Sequence, residues 1–391
     1  MSDSSGNWFS KFKKVSQPEP KPNPGVVAKQ TIETRKWNNK GVRLHNRGRY
    51  EDAIHCYVQA LELDPRYVDA WYNKGNSFLR LGRHEEAISC YDKALELDPR
   101  FVMAWNNKGV SLHNRGRYED AIHCYIQALE LDPRYVDAWN NKGNSLRSLG
   151  RYEDAIRCCD KALELDPYFV IAWTNKGASL SNLARHEEAI HCYDKALELD
   201  PRHVDAWYNK GASLHKLGRF EDAIDCYDRA LRLDPRFAMA WNNKGSSLHN
   251  LGRFEEAIRC YDKALELDPY LVIAWTNKGN SLRSLGRFED AIRCLDRALQ
   301  LDPRHIFAWG NKGNSLHSLG RHEEAIRCYV QALELDPHDA FSWYNKALAE
   351  DELSYLRDAA LSYQQFLMLA PAQNAEQIEY AHKRLRELGD K

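Results

Sequence analysis

No stretch of this 391-residue chain approaches the roughly 18–20 consecutive apolar residues that span a bilayer. The first fourteen residues, Met1 to Lys14, contain no apolar core and no small-residue cleavage pattern, so a secretory leader is not expected. Neither sign of charge dominates. The 55 Lys and Arg residues against 56 Asp and Glu leave a net charge of −1, too little for a broad field that would draw in nucleic acid or anionic lipid. Phosphate loop, nucleophile elbow, zinc-ligand spacing and dinucleotide fingerprint are all missing. These absences exclude a transmembrane helix and point away from enzymes, resident cofactors and bulk nucleic-acid binding. The expected compartment is the cytoplasm. A hydrophobic content of 43% is that of a folded chain.

What is present is a period. Ten of the eleven Trp residues fall 34 residues apart: Trp37, Trp71, Trp105, Trp139, Trp173, Trp207, Trp241, Trp275, Trp309 and Trp343. Gly follows four residues after nine of them, Gly41 to Gly313, and Ala347 stands in the last. Alanines from Ala53 to Ala359 and prolines from Pro65 to Pro371 keep the register. Counting position one from Thr34 puts Trp at position four. Each unit carries two apolar stripes at helical spacing. Trp71, Gly75 and Phe78 mark helix A; Ala87, Cys90, Tyr91 and Ala94 mark helix B. Leu81-Gly82-Arg83 separates them, with Gly suited to a helix C-cap, and Asp98-Pro99 ends helix B because proline cannot continue it. A lone hairpin cannot offset roughly 1–2 kcal/mol of backbone entropy per residue, so the units must stack.

Trp, then Leu-Gly, then Tyr, Ala and Pro at a 34-residue period resembles the tetratricopeptide repeat. The resemblance covers residues 34 to about 373. Two departures recur: Lys40 to Lys346 stand where the family has Leu, and Leu mostly replaces the following Tyr. The resemblance implies an all-α, right-handed superhelical solenoid of ten antiparallel helix pairs that binds protein or peptide. The expected domains are a disordered tail with a proline-rich linker over 1–26, the repeats over 27–373, and a capping helix with the C-terminus over 374–391. In the cap, Asn374 and Gln377 have capping-box spacing, and Ile378, Ala381, Leu385 and Leu388 form an apolar stripe. The tenth repeat departs from the others, with Glu350 for Leu and Phe366 for Ala. In the tail, Trp8, Phe9 and Phe12 alternate with lysines, which suits weak docking to a membrane surface or a partner as well as plain disorder.

On helix A, positions two, five, six, nine, twelve and thirteen lie opposite Trp. In the family this face lines the groove. Position six is Asn ten times: Asn39, Asn73, Asn107, Asn141, Asn175, Asn209, Asn243, Asn277, Asn311 and Asn345. An amide offers donors and an acceptor together, which suits a peptide backbone of any sequence. The row resembles the asparagine ladder in the tetratricopeptide region of protein O-glycosyltransferases. Local hydrogen bonding is the plainer alternative. Position nine adds Asn76, Asn144, Asn280 and Asn314; position twelve adds Arg147 and Arg283 among histidines. Position two varies, with Ile171, Met239, Ile273, Phe307 and Phe341 in the C-terminal half, where apolar anchor pockets are expected. Residues 41–69 and 109–137 differ at only two positions, so differences between repeats are the informative feature. The clamp by which chaperone-binding relatives hold a C-terminal carboxylate is absent: position five is never Lys and position six never Arg.

Nine of ten Cys occupy one position on the buried stripe of helix B, roughly 10 Å or more apart, beyond the reach of a disulfide or shared zinc. They read as reduced core residues, and the histidines, one per repeat, as non-ligands. The Lys before each Gly is expected to lay its stem on Trp and carry its amine to a carboxylate. The expected function is a non-catalytic scaffold that binds an extended peptide in its groove. A tethering subunit of a larger enzyme or membrane complex is the alternative. A nucleic-acid solenoid using Arg80, Arg147, Lys216 and Arg283 is a third. Composition assigns no oligomeric state.

Overall fold

The structure, a computed structural model, describes residues 24–389. The proline-rich linker up to residue 23 and the docking segment of Trp8, Phe9 and Phe12 lie outside the described residues. The chain forms two compact units, residues 1–151 and 152–391. The described part of the first is α1 (Pro24–His45), α2 (Tyr50–Leu63), α3 (Val68–Arg80), α4 (His84–Leu97), α5 (Val102–Asn114), α6 (Tyr118–Leu131) and α7 (Val136–Ser148). The second begins with α8 (Tyr152–Leu165), α9 (Val170–Asn182), α10 (His186–Leu199), α11 (Val204–Lys216), α12 (Phe220–Leu233), α13 (Ala238–Asn250) and α14 (Phe254–Leu267). It continues with α15 (Val272–Ser284), α16 (Phe288–Leu301), α17 (Ile306–Ser318), α18 (His322–Leu335), α19 (Ala340–Glu352), α20 (Leu356–Leu369), a 3-10 turn (Ala372–Asn374) and α21 (Ala375–Gly389). The described residues contain helices and no strand.

Within each unit the hairpins stack as a solenoid. Inside a unit, A helices pack on their own B helix and on the B helix before it, as α11 does on α12 and α10, and also touch the next A helix, as α9 does α11 and α15 does α17. The A helices of each unit therefore present one continuous surface. The first A helix starts at Pro24 and is 22 residues long, where the others have 13.

The repeat is fixed by a few contacts. In each Asp-Pro turn the Asp carboxylate accepts the backbone N–H two residues on, as Asp200 Oδ1 does from Arg202 at 2.9 Å. The proline carbonyl then accepts the indole N–H of the next Trp, at 3.0 Å from Trp207 to Pro201. Between the helices of a pair, the helix-A glycine faces the helix-B tyrosine. A Cβ placed on Gly245 would meet Tyr261 Cε1 at 2.6 Å, so the ring lies directly on the helix-A backbone. Seven tyrosines of this type, from Tyr57 to Tyr329, are almost wholly buried. The lysine beside the glycine has the partner that sequence left open. Lys176 Nζ stands 5.7 Å from the Trp173 ring centre and 2.6 Å from Asp160 on the preceding B helix. Where Val330 replaces that Asp, Lys346 turns to the buried Glu350 at 2.5 Å and to Ser362 Oγ at 2.9 Å. The two odd residues of the tenth repeat are thus part of one arrangement: Glu350 answers Lys346, while buried Phe366 and Tyr363 form the platform against which α21 packs Ile378, Ala381, Leu385 and Leu388.

The Leu-Gly-Arg turn needs a left-handed residue, with φ of +75° at Gly218. In the fifth repeat Ala184 takes φ 59° instead. Strain of roughly 1–2 kcal/mol is expected for a side chain there, partly offset by the lower chain entropy of Ala in the unfolded state. Substitutions at these two kinds of site should move stability in opposite directions. Ala184→Gly should raise the denaturation midpoint slightly, and Gly245→Val should lower stability by about 1–3 kcal/mol through overpacking against Tyr261. Urea unfolding followed by helical circular dichroism checks both.

Candidate functional site

The surface opposite Trp on the A helices is the candidate site, and the side chains on it form three classes. At position two they project outward. Phe307 is 75% exposed, Phe341 58%, Ile171 49%, Ile273 42% and Met239 37%. Position two opens each A helix, one turn from the Asp-Pro corner, so nothing from the helix's own hairpin reaches over it. The C-terminal half thus offers exposed apolar knobs where pockets were expected. The clefts lie by the Trp face instead, such as one of about 450 Å³ between Trp309, Leu316, Ile326 and Val330.

The position-six asparagines are half-buried, apart from exposed Asn39. Five turn one amide N–H to the A helix before them. Asn73, Asn141 and Asn277 each donate to the position-five Asn of that helix (Asn38, Asn106 and Asn242) at 3.1 Å. Asn107 and Asn243 donate to Tyr72 and Tyr208 hydroxyls at 3.1 and 3.0 Å. Asn107 also donates to Asn76 Oδ1 at 2.9 Å. What position five carries decides the bond. Asn209 and Asn311 follow Thr174 and Thr276, Asn345 follows Gly310, and these three make no side-chain hydrogen bond. Asn175 has a partner. Free amides therefore cluster among α11, α17 and α19, two of which also carry Phe307 and Phe341.

At positions nine and twelve the polar groups form relays. His45, His113, His215 and His249 bring Nδ1 to 2.8 Å from Ser77, Ser145, Ser247 and Ser281 on the following A helix. Ser77 and Ser247 hydroxyls donate to the carbonyls of Asn73 and Asn243, so the imidazole Nδ1–H donates to the serine. At His113 and His249 the Nε2 accepts from the Asn144 and Asn280 amides at 3.4 and 3.3 Å, which fixes the same tautomer. Asn144 and Asn280 in turn accept from Arg147 and Arg283 at 2.8 and 3.0 Å. Asn76 and Asn314 accept from Tyr91 and Tyr329 hydroxyls instead. The buried serines at position ten escaped the sequence reading. Their signal was a small polar residue repeated at a helix position pointing to the next repeat.

Burial, reinforced by a nearby cation (Arg80, Arg147, Lys216 and Arg283 respectively), holds all four histidines below the ordinary imidazole value of 6.5. All ten cysteines are buried and none forms a disulfide, and burial pushes Cys192 and Cys226 up to about 11. These thiols are poor nucleophiles. Among the described residues no three His, Cys, Asp or Glu side chains converge as a metal site, and no helix is long and apolar enough to cross a membrane.

A stacked-hairpin solenoid with one uncovered A-helix surface is a protein-recognition fold. Sequence profiles described as tetratricopeptide repeat match residues 39–100 and then seven consecutive stretches from 102–135 to 306–339. The chain belongs to the tetratricopeptide repeat family and is a protein–protein interaction scaffold. Among solved structures, the Cut9–Hcn1 hetero-tetramer of the APC/C is similar at 17% identity and a TM-score of 0.55, over 93% of this chain and 89% of that one. Yeast Tom70 is similar at 16% identity and a TM-score of 0.45, over 92% and 96%. YrrB, described as a TPR protein with an unusual peptide-binding site, is 26% identical with a TM-score of 0.41, over 48% of this chain and 97% of its own. No curated protein matches the chain.

The relays carry a pH dependence. A histidine with a depressed folded value leaves the unfolded chain to take up the proton first. Stability from these groups is therefore present above about pH 6.5 and lost as pH falls below it. The thermal midpoint should drop between pH 7 and pH 5. In a variant with His45, His113, His215 and His249 all changed to Asn, the drop should be smaller. Thermal scans across that range check it.

Proposed function

We propose that the chain is a non-catalytic receptor for an extended segment of a partner protein, held along the A-helix surface of the second unit. The observation that carries this reading is the coincidence of exposed Phe307 and Phe341 with unpaired amides at Asn311 and Asn345. Solvent-facing aromatics gain nothing in an isolated chain, whereas a bound segment that covers them recovers their transfer energy, about 25 cal/mol per Å². Free amides beside them can pair with the backbone of that segment in either direction, since each offers donors and an acceptor. The likeness of the Asn row to the ladder of protein O-glycosyltransferases supports backbone pairing. The bonds that Asn73, Asn107, Asn141, Asn243 and Asn277 make to neighbouring repeats leave each with an acceptor lone pair and limit its role to orienting a ligand. The cytoplasm fits thiols that are buried and form no disulfide.

Panning a random peptide library displayed on phage against the full chain tests this. Enriched sequences should carry apolar residues and should bind at least tenfold more weakly to a Phe307→Ser, Phe341→Ser variant of unchanged helicity, the scale of two lost anchors. Recovery of no sequence, or of sequences that bind both proteins alike, would contradict the proposal.

A further inference from the structure

The second unit contains a cation with no counter-ion. Arg283, at position twelve of α15, makes no ion pair; its Nη2 donates to Asn280 Oδ1 at 3.0 Å, and its Nε is buried without a partner. Some arginines of this unit find carboxylates, as Arg253 does Glu256 and Arg321 does Glu324, and others, such as Arg202, Arg236 and Arg304, stand exposed to solvent; Arg283 differs from both in having a buried Nε without a partner. Arg283 has no carboxylate within reach for a definite reason. The groove positions of repeats seven, eight and nine (two, five, six, nine, twelve and thirteen of α13, α15 and α17) hold Met, Ile, Phe, Asn, Thr, Ser, Gly, His and this one Arg, and not a single Asp or Glu. In a chain whose charges otherwise balance, an acid-free strip with one guanidinium at its centre is a departure from the pattern.

The hydrogen bonds around Arg283 all run one way. The guanidinium donates to Asn280, whose amide faces His249 Nε2 at 3.3 Å, and His249 Nδ1 meets Ser281 at 2.8 Å. A neutral His249 satisfies this order, and the nearby Arg283 charge together with burial favours that neutral form. On the other side, Asn314 gives its Oδ1 to the Tyr329 hydroxyl at 2.9 Å, which leaves its amide N–H groups as donors. The neighbourhood thus holds Arg283 in place with acceptors already used and presents donors outward. A partly desolvated guanidinium with one neutral acceptor and an unpaired Nε is costly, and an incoming oxyanion lowers that cost. The same trio of His113, Asn144 and Arg147 recurs four repeats earlier, again with a buried, unpartnered arginine Nε.

We infer that Arg283 is an oxyanion-recognition station of the groove, taking a carboxylate side chain from an extended acidic peptide that also reaches the apolar anchor at Phe307 on the next A helix. The inference rests on the receptor function proposed above and adds the chemistry of its ligand. The occupant is an internal acidic side chain, not a chain terminus.

The test uses the full chain and a fluorescein-labelled, acetylated and amidated dodecapeptide of alternating leucine and glutamate. Its partners are one with glutamine for every glutamate and one with phosphoserine for every glutamate. The glutamate peptide should bind by fluorescence anisotropy at least tenfold more tightly than the glutamine peptide, the size of one charge-assisted pair. Arg283→Gln should remove most of that difference, and Arg283→Lys should restore part of it. Tighter binding of the phosphoserine peptide that is also lost in Arg283→Gln would support the station and assign its oxyanion as phosphoryl. If the glutamine peptide binds through Phe307 but Arg283→Gln leaves the glutamate preference intact, the station is wrong and the groove stands. If no peptide binds, the receptor proposal itself fails.

Discussion

The contact on which the molecule depends is a tyrosine ring packed against the backbone of the facing helix. At Gly245 and the six other described glycines that face a tyrosine, a methyl group would overlap the ring, so the two helices of those hairpins meet at one close separation. With that spacing fixed, the next contacts follow. From the second repeat on, the indole of Trp reaches the proline carbonyl six residues before it, and the lysine one turn on lies by the ring, pairing with an Asp of the preceding B helix where that helix carries one. Repeats with that Asp before them are thereby bonded to their predecessor through both an apolar and a polar link. A solenoid of this kind has no single core to fail, only a series of nearest-neighbour interfaces.

One interlock on the Trp side has a second consequence on the opposite side. Because B helices separate successive hairpins, the A helices come together along their other face and share polar side chains there. Asn to Asn, Asn to Tyr and His to Ser bonds stitch that face, and their pattern depends on what position five happens to carry. Thr174, Thr276 and Gly310 interrupt it and leave the amides of the next helix open. Variation that looks minor between near-identical copies therefore converts a stitched wall into a surface with free donors. Phe307 and Phe341 sit on the same stretch.

The helix pairs, their punctuation and the burial of Tyr and Cys were legible in the sequence, because a 34-residue period repeats each local signal; the Trp residues are only half-buried. Helical phase alone also places Asn311, Asn345, Phe307 and Phe341 on the side of their helices opposite Trp343 and Trp309. Bond partners were not. Phase says which way Asn277 points but not that Asn242, 35 residues earlier, lies 3.1 Å away. That distance is set by how two hairpins stack. For the same reason the serine partners of the histidines and the Asp partners of six of the lysines emerged only with the structure. Glu350 read only as a departure from the other repeats; packing shows it answering a lysine that has no Asp before it.

The central claim is that the A-helix surface of the second unit is left open for another chain. A crystal structure of the full chain with a peptide selected by binding would address it directly. The account predicts peptide density crossing α15, α17 and α19, with side chains against Phe307 and Phe341 and backbone within hydrogen-bond distance of Asn311 and Asn345. Density on the outer face of the B helices, or residues 1–23 of the chain itself filling that surface, would contradict it.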